Sequence, residues 1–120
     1  MVRKRKSLLL GLVLAGLAGT SGAMNVQSTS ASQISSVDVY TAFGGGDAIV
    51  HLTSNSLSGS CPLGFWISGT DPGGKSALAQ IMAAQAVGGS VVIAADTASI
   101  WSGNGNTAAC QVWSVTRTGT

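Results

Sequence analysis

Three features of the 120-residue chain predict a small, mainly β domain with one helix and one disulfide, reached only after an export signal. Between residues 37 and 116, short segments alternate apolar and polar side chains, or run continuously apolar, between clusters of Gly, Ser and Asn. That is the pattern of strands and turns. One stretch, residues 75–87, changes to helical spacing. The two cysteines, Cys61 and Cys110, lie far apart in sequence and suit a single bridge.

The first 23 residues have the anatomy of an export signal. Arg3, Lys4, Arg5 and Lys6 form a basic head, Leu8 to Ala18 is an apolar and glycine run, and Ser21-Gly22-Ala23 offers small residues for cleavage. As a helix this run rises only about 16 Å, roughly half a bilayer core, so no permanent membrane anchor is expected. The expected mature protein is Met24–Thr120, exported to the periplasm or beyond. That compartment is oxidising, and a Cys61–Cys110 bridge closing a loop of about 50 residues contributes roughly 4 kcal/mol. Two separate buried thiols are the alternative. Two cysteines are too few for a thiolate zinc site and are not spaced as a redox pair.

Charge narrows the partners. The whole chain carries a formal +2, but four of its six basic residues lie in the signal. What remains is Lys75 and Arg117 against Asp38, Asp47, Asp71 and Asp96, a formal −2. Two cations cannot build the basic face that displaces counterions from a phosphate backbone, which excludes nucleic acid. Surface polarity comes instead from Ser, Thr, Asn and Gln, neutral groups suited to hydrogen bonding.

Residues 24–36, rich in Ser, Thr and Gln, read as a flexible leader to a single domain over 37–120. Val37 to Phe43 alternates as a strand, Gly44-Gly45-Gly46 permits a turn, and Asp47 to Thr53 returns as its hairpin partner. Along that return Ala48, Val50 and Leu52 point one way, and Asp47, Ile49, His51 and Thr53 the other. A small-residue loop, 54–60, precedes a third strand from Cys61 to Ser68. Gly69 to Gly74 breaks the pattern, and Lys75 to Val87 follows as a helix with Leu78, Ile81, Met82 and Ala86 on one stripe. Gly88-Gly89 is its stop. Ser90 to Ala95 is a fourth strand, 102–107 a polar loop, and Cys110 to Thr116 a fifth strand. The order β-β-β-α-β-β is that of a five-stranded, partly open OB-like barrel, a form that other small α+β sheets can share.

Several runs resemble known sequences: Cys61-Pro62 with Phe65-Trp66; Gly74-Lys75-Ser76-Ala77-Leu78; Gly88-Gly89-Ser90-Val91-Val92-Ile93; Ile100-Trp101; and Cys110. Together, over roughly 37–115, they resemble small exported bacterial proteins and, more distantly, the B subunit of subtilase cytotoxin. The resemblance implies an OB-type fold, assembly as a homo-oligomer of five, and binding of sialylated glycans. The toxin's glycan-contacting serine motif has no counterpart here, so no ligand-binding residue is carried over.

Four features bear on chemistry. Gly69 to Ser76 fits G-x-x-x-x-G-K-[ST] and lies between a strand and a helix, the setting of a phosphate-cradling loop. The preferred reading is nevertheless a turn begun by Asp71-Pro72, with Lys75 solvated in the first helical turn, because a P-loop enzyme needs a larger parallel sheet and ATP is scarce outside the cytoplasm; nucleotide binding is the alternative function. His51, the lone histidine, has no nucleophile elbow near it and reads as a rim residue. Glutamate is absent and the aspartates are scattered, which gives a two-carboxylate glycosidase no support. Tryptophan remains. Trp66 and Trp113 lie near the cysteines and read as core, whereas Trp101 opens the loop holding Asn104 and Asn106. An indole beside Asn side chains suits a sugar ring, so Trp101, Asn104 and Asn106 are the candidate ligand-binding residues. The other reading has Trp101 closing one end of the barrel. The expected protein is thus a non-enzymatic binding or envelope-associated module without cofactor or metal, its partner a glycan or cell-envelope component. A purely structural role is a further alternative.

Overall fold

The computed structural model describes residues 23–103 and 105–118. Residues 1–22 of the expected signal lie outside that range. The element order is β1 (Val26–Ser28), β2 (Ser32–Tyr40), β3 (Asp47–Leu52), β4 (Gly64–Ile67), α1 (Pro72–Ala86), β5 (Ser90–Ile100) and β6 (Ala109–Arg117). The strands form one six-stranded sheet in the order β1-β5-β2-β3-β4-β6, and β5 pairs with β6 as well. That second pairing curls the sheet into a partly closed ring. Closure is incomplete because β2 meets β5 at only two positions, Ser32 opposite Val91 and Gln33 opposite Ser90. Beyond them β1 takes the same edge of β5, with Val26, Gln27 and Ser28 opposite Asp96, Ala95 and Ala94. All pairings are antiparallel except β4 with β6.

The segment expected as a leader is therefore largely sheet. Its polar side chains conceal this because β1 is exposed throughout and contributes main-chain bonds, not apolar burial. Thr29 and Ser32, both buried, do the same with hydroxyls: Thr29 Oγ1 accepts from the Ile93 N–H (3.0 Å) and Ser32 Oγ from that of Ser54 (2.9 Å).

The core lies inside the ring. Val50, Phe65, Ile81, Val91 and Ile93 are fully buried there beside the Cys61–Cys110 disulfide, whose Cα atoms are 5.4 Å apart. The bridge ties the turn before β4 to β6, beside the parallel pair Phe65–Cys110. β4 starts at Gly64 and not at Cys61, because Cys61 closes a turn on Leu57 (2.8 Å) and Gly64 has φ +128°. β3 is buried on both sides. Ala48, Val50 and Leu52 face the core, as their alternation predicts, while Ile49 packs outside the ring in a second cluster with Trp101, Ala109, Leu63 and Trp66.

Helix α1 begins three residues earlier than its apolar spacing predicts. Asp71 caps it by accepting from the Gly73 N–H (3.1 Å), and Pro72 occupies the first turn, where no N–H is needed. The helix buries Ile81 and Ala84, with Ala77 and Leu78 packed alongside; Met82 is exposed. The buried stripe is thus rotated from the expected one: Ala84 replaces Met82 and Ala86, since a small side chain lets the helix approach the sheet. Its end falls at the glycine pair, with Gly88 at φ +68° and the Gly89 N–H returning to the Ala84 carbonyl (2.9 Å).

Candidate ligand-binding cleft

Trp101 does not present a stacking face. It is 4% exposed, its ring lies 5.0 Å from that of Tyr40 and 5.2 Å from that of Phe43, and its indole N–H donates to Asp47 Oδ2 (2.9 Å). The loop after it folds back so tightly that a Cβ on Gly103 would collide with the Trp101 and Phe43 rings. Trp101 is thus a packed member of the second cluster, with Ile49 and Ala109. Asn106 is exposed in the same loop, and Asn104 lies outside the described residues.

Trp113 is the tryptophan that faces outward, at 59% exposure. The expectation that it packs in the core fails for a local reason. On β6, Val112 pairs with Ala95 and Ser114 with Ala94, so Trp113 is an extra residue in the ladder. Alternation from the inward Cys110 and Val112 already sets residue 113 on the outer face, and the bulge after it shifts the phase of the strand. Cys110 and Val112 point into the core before it; Val115 resumes after it.

Trp113 stands at a cleft of about 290 Å3, just below the usual range for small-ligand sites. Ile67 and Ser68 at the end of β4, Asp71, Gly74 and Ala77 at the start of α1, and Gln111 and Val112 of β6 contribute to its walls. Asp96 and Met24 complete it from the β5–β1 side. Gly74 lets the helix sit this close, because a Cβ there would press on the Ser68 carbonyl and Ile67. Gln111 is held by the Ser99 hydroxyl, which donates to its Oε1 (2.9 Å) and leaves the amide N–H2 as a donor. The Ser99 carbonyl in turn accepts from the Trp66 indole (3.0 Å), which fixes that short irregular stretch of β5. The cleft thus offers one broad aromatic face, an apolar floor, two carboxylates, an amide and a hydroxyl.

Of the cleft's polar residues only Asp71 falls in a motif singled out from the sequence, the 69–76 segment, and none is expected to bind a glycan; the sequence does carry a signal for Trp113. Alternation from the buried cysteine at 110 puts residue 112 inward and the indole at 113 outward; the break comes after it, where 115 and not 114 returns to the core.

Four N–H groups of the Gly69–Ser76 segment are engaged within the chain. Gly69 N–H donates to Asp47 Oδ1 (2.9 Å), Thr70 N–H to the Ser68 hydroxyl (3.3 Å), Gly73 N–H to Asp71 and Lys75 N–H to the Asp71 carbonyl (3.0 Å). Carboxylates of Asp47 and Asp71 thus occupy two N–H groups that a bound phosphate would use as donors. His51, half-buried on β3, bonds Asp38 through Nε2 (2.9 Å). Among the described residues no group of three or more potential ligands is placed to hold a metal, and no helix is long and apolar enough to cross a membrane.

Compared with protein-family models, with curated proteins and with solved structures, the chain gives no match.

Proposed function

We propose that the protein is an exported, non-enzymatic binding module whose Trp113 cleft takes a short glycan. The observation that carries this reading is Trp113 itself: a solvent-facing tryptophan at a bulge, beside fixed polar groups in a concave site. An indole face covers the apolar side of a pyranose, while carboxylates and amides bond its hydroxyls. Asp71 and Asp96 make the cleft's charge negative among its described residues. They favour a neutral or amino sugar and disfavour the acidic, sialylated ones that the toxin resemblance implies.

The disulfide is consistent with export, since such bridges persist in oxidising compartments. An OB-like barrel is supported by the ring path β2-β3-β4-β6-β5, with α1 placed between β4 and β5.

The test is a panel of neutral, amino and sialylated oligosaccharides offered to the folded mature protein and to Trp113→Ala. The reading expects binding to neutral or amino sugars that Trp113→Ala loses by tenfold or more. A folded protein that binds none of the panel, or binds equally well without Trp113, overturns it.

A further inference from the structure

We infer that removal of residues 1–23 leaves the α-ammonium of Met24 paired with Asp96 at the rim of the cleft, so that processing itself completes the site. The inference rests on the export reading above and extends it. Met24 lines the cleft beside Asp71 and Asp96, and the expected cleavage point is the bond immediately before it. Hydrolysis of the Ala23–Met24 peptide bond consumes one water. It leaves a carboxylate on Ala23, which departs with the signal, and an amine on Met24, largely protonated at neutral pH.

The chain on the other side of that bond is held firmly. The Asn25 N–H donates to Asp96 Oδ1 (3.1 Å), and the Asn25 carbonyl accepts from the Thr97 N–H (2.9 Å) and hydroxyl (3.1 Å). β1 continues in register on β5, and the Thr29 N–H closes it on the Ile93 carbonyl (2.8 Å). Asp96 Oδ1 also accepts from the Ala98 N–H (3.0 Å). Both bonds fall on Oδ1, which leaves Oδ2 as the acceptor without a bond among the described residues. The Met24 nitrogen is one residue from Asn25 N–H, at most about 3.6 Å of chain, which keeps it within about 6.7 Å of Asp96 Oδ1 and lets the freed chain end swing onto Oδ2.

Before cleavage that nitrogen is a neutral amide. Afterwards it is the cation among cleft-lining residues that otherwise include no Lys or Arg. Cleavage thus exchanges a neutral edge for an ionic clasp that pins β1 to β5 and fixes one wall of the cleft.

The test expresses the full chain, wild type and Asp96→Asn, in an exporting bacterial host. Asparagine keeps the Oδ1 acceptor for Asn25 and Ala98 and removes only the charge. Intact mass reads the N-terminus, and limiting acylation at pH 7 reads the α-amine. A chain starting at Met24, whose α-amine acylates on the order of tenfold more slowly in wild type than in Asp96→Asn, supports the clasp; tenfold corresponds to about one pKa unit. Equal rates in the two folded proteins overturn it and leave the export reading intact. A chain that starts elsewhere, or keeps its signal, overturns the processing on which both stand. Should Asp96→Asn fail to fold, titration of the wild-type α-amine decides alone: a midpoint above about 8.0 supports the clasp, and one within the ordinary 7.7–8.0 range overturns it.

Discussion

The indole N–H of Trp101 donates to Oδ2 of Asp47 across 2.9 Å, joining residues 54 apart in a site where both are nearly enclosed. The other carboxylate oxygen accepts from the Gly69 N–H at 2.9 Å. One buried side chain thereby ties the β2–β3 turn, the loop leading to α1 and the end of β5. A hydrogen bond to a charged acceptor is worth about 1.5–3 kcal/mol, and stranding one partner costs about as much. Asp47→Ala is therefore expected to lose about 2–4 kcal/mol of unfolding free energy, and Trp101→Phe about 1–3 kcal/mol. Urea denaturation measures both; a change below about 0.5 kcal/mol in either contradicts this role.

The same junction depends on close backbone approach. Gly69 lies flat against the Gly45–Gly46 backbone, and an added Cβ would collide with main-chain atoms that cannot swing aside. Gly59, by contrast, has open space around its Cβ position. Gly69→Ala is expected to lower stability by about 1–3 kcal/mol, in the range of overpacking, while Gly59→Ala stays within about 0.5 kcal/mol. Thermal unfolding of the two variants side by side checks the contrast.

Cys61 and Cys110 are both fully buried and span 49 residues of sequence. Replacing the pair with alanine is expected to cost about 2–5 kcal/mol, from the lost constraint on the unfolded chain and the smaller side chains. Denaturation with and without a reducing agent should show the same loss in wild type, and none in the double variant.

Much of this architecture is legible in the sequence. The alternation in 47–53 separates the two faces of β3 correctly, the glycine pair at 88–89 ends the helix, and the two cysteines find each other. What is not legible has a common cause: it depends on main-chain bonds or on irregularity. β1 is exposed and polar, so no apolar period marks it; its stability comes from Asn25, Thr29 and the edge of β5. The start of α1 is set by the Asp71 cap and Pro72, upstream of the first apolar residue in the stripe.

The tryptophans show the limit most clearly. Sequence neighbourhood places Trp113 near a buried cysteine and Trp101 in a polar loop, which suggests the opposite of what is found. Alternation from the inward Cys110 turns Trp113 outward, and a 54-residue contact turns Trp101 inward. The first is within reach of strand periodicity once Cys110 is known to face inward; the second is not local enough for periodicity to capture.

The exposed position of Trp113 has its own consequence for stability. Its side chain is mostly in solvent, so Trp113→Ala is expected to change unfolding free energy by no more than about 0.5–1 kcal/mol while removing the aromatic wall of the cleft. A denaturation midpoint near that of wild type checks this. A large loss would mean that the indole supports the fold.

The most direct measurement follows the indole N–H signals of Trp66, Trp101 and Trp113 by NMR while a neutral or amino sugar is titrated into the mature protein. A saturable shift of the Trp113 resonance, with that of Trp101 unmoved behind Asp47, is the predicted result. Shifts centred on Trp101, or no shift of Trp113 up to millimolar sugar, would contradict a ligand site at the bulge.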